Sequence, residues 1–249
     1  MGNQTSEKNM LKVKAHAMME GAGANVKRLF PTQLMNTYDP FVLLDEFFVT
    51  PPAGFPTHPH RGFEGLTYML EGGFNHKDNL GNDSSVYAGG VQRFTAGSGL
   101  EHSELPAEEG VNHGFQLWIN LEKSKKGMNP SYQQVDKGDF PVNGGDGIRE
   151  IVIAGEGSSL ILQTEVIYKD VTSENGAPYE ITLPKDHKGF IYVFDGAISV
   201  PYHSVEKGEA LFFSDQEKFT ITSNPMCRFL FISGRPHGQE MILNGPFVD

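Results

Sequence analysis

His58-Pro59-His60 sets two imidazoles at i and i+2, and His102-Ser103-Glu104 repeats the spacing with a histidine and a carboxylate. In a β-strand, residues two apart project from the same face. If the two strands face one another inside a barrel, three neutral imidazoles and a carboxylate converge on one point. Such a donor set suits a divalent first-row metal. An octahedral ion would keep two positions open for water, O2 or substrate, and that openness goes with catalysis more than with a structural role. A lone His-x-His pair is weak evidence. Followed by His-x-Glu on a second strand, with glycine-rich hairpins between, it becomes far more specific. Pro59 has no N–H to offer a neighbour, so its strand belongs at an edge or a barrel rim.

Glu64 competes with Glu104 for the role of the carboxylate. By parity, residue 64 shares the face of 58 and 60 in a regular strand, but Gly62 can host a bulge that reverses the parity. The spacing His58-x-His60-x-x-x-Glu64 is also the ligand spacing of ordinary cupin proteins, so the residues alone leave both carboxylates open. His76 and Asp78 follow the Gly72-Gly73 turn and either line a cavity mouth or stand in solvent. From His113 to Asn120 the pattern alternates. His113, Phe115, Leu117 and Ile119 form an apolar face expected to be barrel core and in part pocket wall, with Gln116, Trp118 and Asn120 opposite. Cys227, at the start of an apolar strand, reads as a buried inert thiol. His187, His203 and His237 show no ligand spacing.

The elements that must position these residues are strands. Runs such as Gly65-Leu-Thr-Tyr-Met-Leu-Glu-Gly72 sit between turn residues, and long helical periodicity is absent. The segment from Ser173 to Lys188 reads as loop and short strand. The Gly65 run resembles Gly189-Phe-Ile-Tyr-Val-Phe-Asp-Gly196, 124 residues on, and Gly90-Val-Gln-Arg-Phe-Thr95 resembles Gly208-Glu-Ala-Leu-Phe-Phe213, 118 residues on. A repeat of this kind predicts an all-β protein of two tandem barrels, 1–136 and 137–249, divided in the Gly- and Asp-rich stretch from Lys137 to Gly147. Carrying the same offsets to the ligand positions lands on Thr182, Pro184, Thr220 and Thr222. None is a usual ligand, so the second barrel is expected to keep the scaffold without the metal.

Composition narrows the function. At 249 residues the chain is long enough for two real cores. A formal charge of −11 disfavours direct nucleic-acid binding, which relies on Lys and Arg releasing counterions. The single cysteine cannot form an intrachain disulfide, which fits a reducing compartment. With no membrane-length apolar run and no signal peptide, a soluble cytoplasmic protein is expected.

Five stretches carry a family resemblance. Tyr38-Asp-Pro-Phe-Val-Leu-Leu-Asp-Glu-Phe47 leads into Pro52-Ala-Gly-Phe-Pro-Thr-His-Pro-His-Arg-Gly-Phe-Glu64. Thr95-Ala-Gly-Ser-Gly-Leu-Glu-His-Ser-Glu104 and Gly114-Phe-Gln-Leu-Trp-Ile-Asn-Leu121 follow, and Asn244-Gly-Pro-Phe-Val248 closes the chain. Together they closely resemble the pirin signature, densely from Tyr38 to Leu121 and more loosely beyond. The resemblance implies a bicupin, two cupin-type β-barrels with one metal ion in the N-terminal one only. It places the ligands on His58, His60, His102 and Glu104, favours Glu104 over Glu64, and makes Fe(2+) the expected metal. It also implies a quercetin 2,3-dioxygenase-like activity on quercetin or a related flavonol with O2, with Glu104 taking the substrate hydroxyl proton. The alternative it implies is a non-enzymatic, iron- or redox-responsive protein that regulates a protein partner. A zinc-dependent cupin isomerase is a further rival. Pirins often continue into a C-terminal helix beyond the Asn-Gly-Pro-Phe-Val segment, so any partner surface resting on that helix is not carried over.

Overall fold

The structure, a computed structural model, describes residues 10–214, 218–223 and 226–249. Their regular structure is β-strand apart from a short 3-10 turn at Lys137–Asp139. No helix among the described residues is long and apolar enough to cross a membrane.

The chain forms two compact units, and they differ from the expected halves 1–136 and 137–249 at both chain ends and at residues 159–164. Of the described residues, one unit takes 16–139, 159–164 and 237–249, and the other takes 10–15 with those of 140–158 and 165–236. The hydrogen-bonding needs of strand edges explain the exchange of the ends. Strand β1 (Met10–Lys14) fills an edge of the second unit's sheet, and the tail from His237 onward is tied to the first.

The first unit runs through β2 (His16–Glu20), β3 (Ala24–Phe30), β4 (Phe41–Val49), β5 (Phe55–His60), β6 (Phe63–Glu71) and β7 (Gly73–Asp78). It continues through β8 (Asp83–Tyr87), β9 (Val91–Thr95), β10 (Leu100–Pro106), β11 (Asn112–Asn120) and β12 (Ser131–Val135). Its seven-stranded sheet has the order β12-β9-β6-β11-β4-β3-β2, and its four-stranded sheet the order β5-β10-β7-β8. Proline-bearing β5 is an edge strand, as a missing N–H requires. The apolar face of β11, with Phe115, Leu117 and Ile119 fully buried, is core. Phe47 of β4 and Phe74 of β7 stack at 4.7 Å and fill the unit between its sheets with Met69 and Val86.

The second unit adds β13 (Val142–Gly145), β14 (Ile148–Ala154), β15 (Val166–Ser173), β16 (Tyr179–Thr182), β17 (Lys188–Asp195) and β18 (Ala197–Val200). It is completed by β19 (His203–Glu206), β20 (Glu209–Ser214), β21 (Lys218–Ser223) and β22 (Cys227–Gly234). Its sheets run β1-β20-β17-β22-β15-β14-β13 and β16-β21-β18-β19. Cys227 is a free, buried thiol in β22. The tail forms a two-stranded ribbon, β23 (Leu243–Asn244) and β24 (Phe247–Val248), within the first unit.

Candidate metal centre

His58 and His60 sit on β5 and His102 on β10, and these strands are hydrogen-bonded neighbours in antiparallel register, with His102 opposite His58. The pairs therefore meet side by side on one sheet and not across the barrel. Shared facing and direct cross-strand pairing still bring the rings together, with centroids 4.5 to 4.9 Å apart. One ligand atom from each of the three lies within 4.8 Å of the others. No other group of three or more metal-capable side chains of this kind occurs among the described residues.

Which ring nitrogen is free follows from the partners of the other. His58 Nδ1 lies 2.7 Å from the Pro56 carbonyl oxygen, and His60 Nδ1 lies 3.2 Å from that of Pro246. A carbonyl only accepts, so both neutral rings carry their proton on Nδ1 and keep the Nε2 lone pair. His102 Nδ1 lies 3.4 Å from His76 Nδ1, and His102 Nε2 is buried with no hydrogen-bond partner. A buried polar atom without a partner is costly unless something else binds it. Three Nε2 atoms, one of them an orphan, fit a divalent metal. Burial, helped by the neighbouring His58, pushes His60 down to about 3. Burial also holds His102 well below the usual histidine range, with His60, His58 and His76 adding to it. Both effects favour the neutral imidazole, the form that binds metal.

Glu104 lies two residues past His102 on β10, is buried, and lines the same cavity as His58 and His60. It is not within the three-histidine group. Its Oε1 accepts from Thr67 Oγ1 at 2.5 Å and from Gln92 Nε2, and its Oε2 accepts from Gln116 Nε2 at 2.8 Å. Glu64 is placed elsewhere. Its Oε1 accepts from Thr95 Oγ1 and its Oε2 from the Gln163 backbone N–H, both at 2.8 Å. The separation is made at Gly62, between β5 and β6. That residue has φ +86°, and a Cβ there would stand 1.9 Å from the Val248 carbonyl oxygen. Only glycine fits, and the break resets the alternation, so residue 64 does not share the face of 58 and 60.

The cavity beside the histidines holds about 680 Å³. Leu43, Phe47 and Trp118 give it apolar walls, Gln116 and Glu104 a polar floor, and Leu243 and Pro246 of the tail close one side. The wall from β11 is thus the Gln116/Trp118 face, where sequence alternation favoured the apolar face. Gln92, Gln116 and Thr67 are the site residues that sequence reasoning missed. A polar residue such as Gln116 alternating into an otherwise apolar strand was the available signal. His76 is fully buried behind His102, and Asp78 is hydrogen-bonded to it.

The family model described as Pirin matches residues 23–119, and the Pirin C-terminal cupin domain matches residues 168–249. Over 255 residues the chain is 40% identical to Pirin-like protein 2 of Arabidopsis thaliana, covering 95% of this chain and 78% of that protein. Identity to the Pirin of Homo sapiens is 36% over 259 residues, covering 98% and 88%. The crystal structure of quercetin 2,3-dioxygenase from Acinetobacter baumannii superposes with a TM-score of 0.90 at 28% identity, covering 97% of this chain and 91% of that one.

Proposed function

The chain belongs to the pirin family, and on that premise we propose that it is a metal-dependent dioxygenase oxidising quercetin or a related flavonol with O2. One iron(II) ion is held in the first barrel by His58, His60 and His102, with Glu104 as the fourth ligand. The observation that carries the reading is the set of three imidazoles, each with its Nδ1 engaged and its Nε2 available, at the edge of a cavity of about 680 Å³. That volume lies within the range of small-molecule sites. The flat apolar walls from Trp118 and Phe47 suit a fused aromatic ring system. Likeness to a quercetin 2,3-dioxygenase supports the substrate class.

When bound, iron supplies Lewis acidity toward an enolate oxygen and one-electron chemistry with O2. The chain's own residues do the rest. Trp118 and Leu43 hold the aromatic substrate and exclude water from the reacting edge. Glu104, aimed by Thr67, Gln92 and Gln116, takes the proton of the flavonol hydroxyl at a carboxylate oxygen. Gln116 and Gln92 keep that carboxylate in one orientation, so the proton acceptor is already in position when substrate enters.

The test is elemental analysis of the purified protein followed by O2 uptake with a panel of flavonols. The expected result is flavonol loss under air, none under nitrogen and none after chelation. Glu104→Ala should lower metal content and abolish turnover, whereas Glu64→Ala should keep both in whatever fraction folds. An iron-loaded protein that leaves every flavonol intact while binding a protein partner in an iron-dependent way would replace this reading with the regulator.

A further inference from the structure

Two of the three ligand histidines have their tautomer set by a backbone carbonyl, an acceptor with no alternative. His102 does not. Its Nδ1 meets another imidazole, His76 Nδ1, at 3.4 Å. Either ring can carry the proton between them, and the choice decides whether His102 presents a lone pair or an N–H to the site. If His76 donates, the neutral His102 is protonated on Nε2 and cannot bind a metal. If His76 accepts, His102 Nε2 is a ligand.

The far side of His76 settles the choice. His76 Nε2 lies 3.0 Å from Asp78 Oδ2. Asp78 is locked in place by the hairpin turn that follows it. Its Oδ1 accepts from the backbone N–H groups of Leu80 at 2.9 Å and Asn82 at 3.0 Å, and its Oδ2 from Asn82 Nδ2 at 2.8 Å. Burial alone would raise the Asp78 carboxyl, but the hydrogen bonds from Asn82 and His76 outweigh it and hold it below the usual range. A carboxylate surrounded by donors accepts from His76 as well. The neutral His76 then has its proton on Nε2 and its lone pair on Nδ1, facing His102. The ring is also fixed in plane by Tyr132, stacked on it at 4.3 Å, and it is fully buried. The strands make the alignment reproducible, because β7 pairs with β10 so that Asp78 stands opposite His102 and His76 opposite Glu104.

We propose that His76, aligned by Asp78, is the positioning residue for His102: it accepts the His102 Nδ1 proton and thereby turns the His102 Nε2 lone pair into the metal site. The relay runs Asp78 carboxylate, His76 imidazole, His102 imidazole, metal. A carboxylate behind a metal-binding histidine fixes its ring and raises its basicity, and here a second imidazole is interposed to span the distance. Coordination at Nε2 makes the Nδ1 proton a stronger donor, so the 3.4 Å contact is one that metal binding strengthens. The inference rests on the three-histidine reading of the site.

The experiment is a titration of metal-free protein with cobalt(II), read by its ligand-field absorption and by competition with a chelator, on wild type, His76→Leu and His76→Asn. Leucine fills the space without an acceptor, whereas the asparagine amide oxygen falls near the position of Nδ1 and still accepts. Wild type should bind one cobalt(II). His76→Leu should bind about 10–100-fold more weakly, as loss of such a supporting group does, and His76→Asn should stay within a few-fold of wild type. In parallel, nitrogen-15 NMR of the metal-free protein should find His102 protonated on Nδ1 in wild type and His76→Asn, and shifted toward the Nε2–H form in His76→Leu. If wild type binds no cobalt(II), the metal site itself fails. If wild type binds and His76→Leu matches it in affinity and tautomer, the positioning role is wrong. Equal weakening in both variants also overturns it, because packing alone would then explain the loss. Should His76→Leu not fold, Asp78→Ala decides on the same two readouts, since it removes the aligning carboxylate and leaves both imidazoles in place.

Discussion

In the first barrel the smaller sheet runs β5-β10-β7-β8, and in the second it runs β16-β21-β18-β19, so β16 and β21 take the places of β5 and β10. The larger sheets match in the same way, strand for strand. Only the edge strand has a different origin, β12 in one barrel and β1 in the other. Where the first barrel turns His60, His102 and Glu104 inward, the second packs Ile181, Phe219 and Ile221 into a continuous apolar core with Leu211, Phe213 and Phe231. The strand plan is therefore indifferent to the chemistry. A handful of inward positions and the polar side chains that support them decide whether a barrel is a site or a core.

The largest effect that tests this contrast is removal of an imidazole. His58→Ala, His60→Ala and His102→Ala should each empty the metal site, and wild type should hold one metal per chain by elemental analysis. A second tightly bound metal, retained in the triple variant, would erase the contrast. Next comes the apolar side. Phe219→Ala should cost about 3–5 kcal/mol in chemical denaturation and leave metal content unchanged in the folded fraction. Loss of the metal along with Phe219 would mean that the barrels do not carry their roles separately.

A pH test follows from the burial of His60. Its folded value, about 3, lies below the ordinary 6.5, so between those values the unfolded chain binds a proton that the folded chain does not. Stability of the metal-free protein must then rise with pH in that window and fall on acidification, by up to about 1.4 kcal/mol per pH unit for this group. His60→Gln should flatten that slope in denaturation curves taken downward from pH 6.5. An unchanged slope would mean that burial of His60 contributes nothing. The smallest effect concerns register. Thr220 and Thr222 are exposed on β21, so Thr220→Ala and Thr222→Ala should each shift stability by less than about 0.5 kcal/mol. A cost like that of Phe219→Ala would reverse the assignment of faces.

That last pair marks where sequence reading slipped. Carrying the offset of β6 and β17 to His58 and His60 selected Thr182 and Pro184, and carrying that of β9 and β20 to His102 and Glu104 selected Thr220 and Thr222, none of them in the core, whereas Ile181, Leu183, Phe219 and Ile221 face the interior. The connection before β17 spans 183–187, whereas that before β6 spans 61–62. An offset measured on one strand does not survive a loop of different length, and an error of one residue inverts every face. The three histidines were legible because their chemistry and their period of two are both local. Gln92 and Gln116 were not, because they reach Glu104 from strands of the other sheet, and the Pro246 carbonyl was not, because it comes from a tail 186 positions beyond His60. His76 and Asp78 were visible as a pair on one strand, but what they face depends on the pairing of β7 with β10.

The Pro246 carbonyl on His60 also bears on how the protein is made. The two residues are 186 positions apart, and the same tail joins Asp249 to Arg61 in a two-pronged ion pair. Loop-closure entropy rises only slowly with length, so the separation costs the finished fold little. It matters in time. At a synthesis rate on the order of 5–20 residues per second, the ribosome makes His60 about 10–40 s before Pro246. For that interval the nascent chain carries an imidazole whose partner does not yet exist, and the pocket lacks the wall that the tail later supplies.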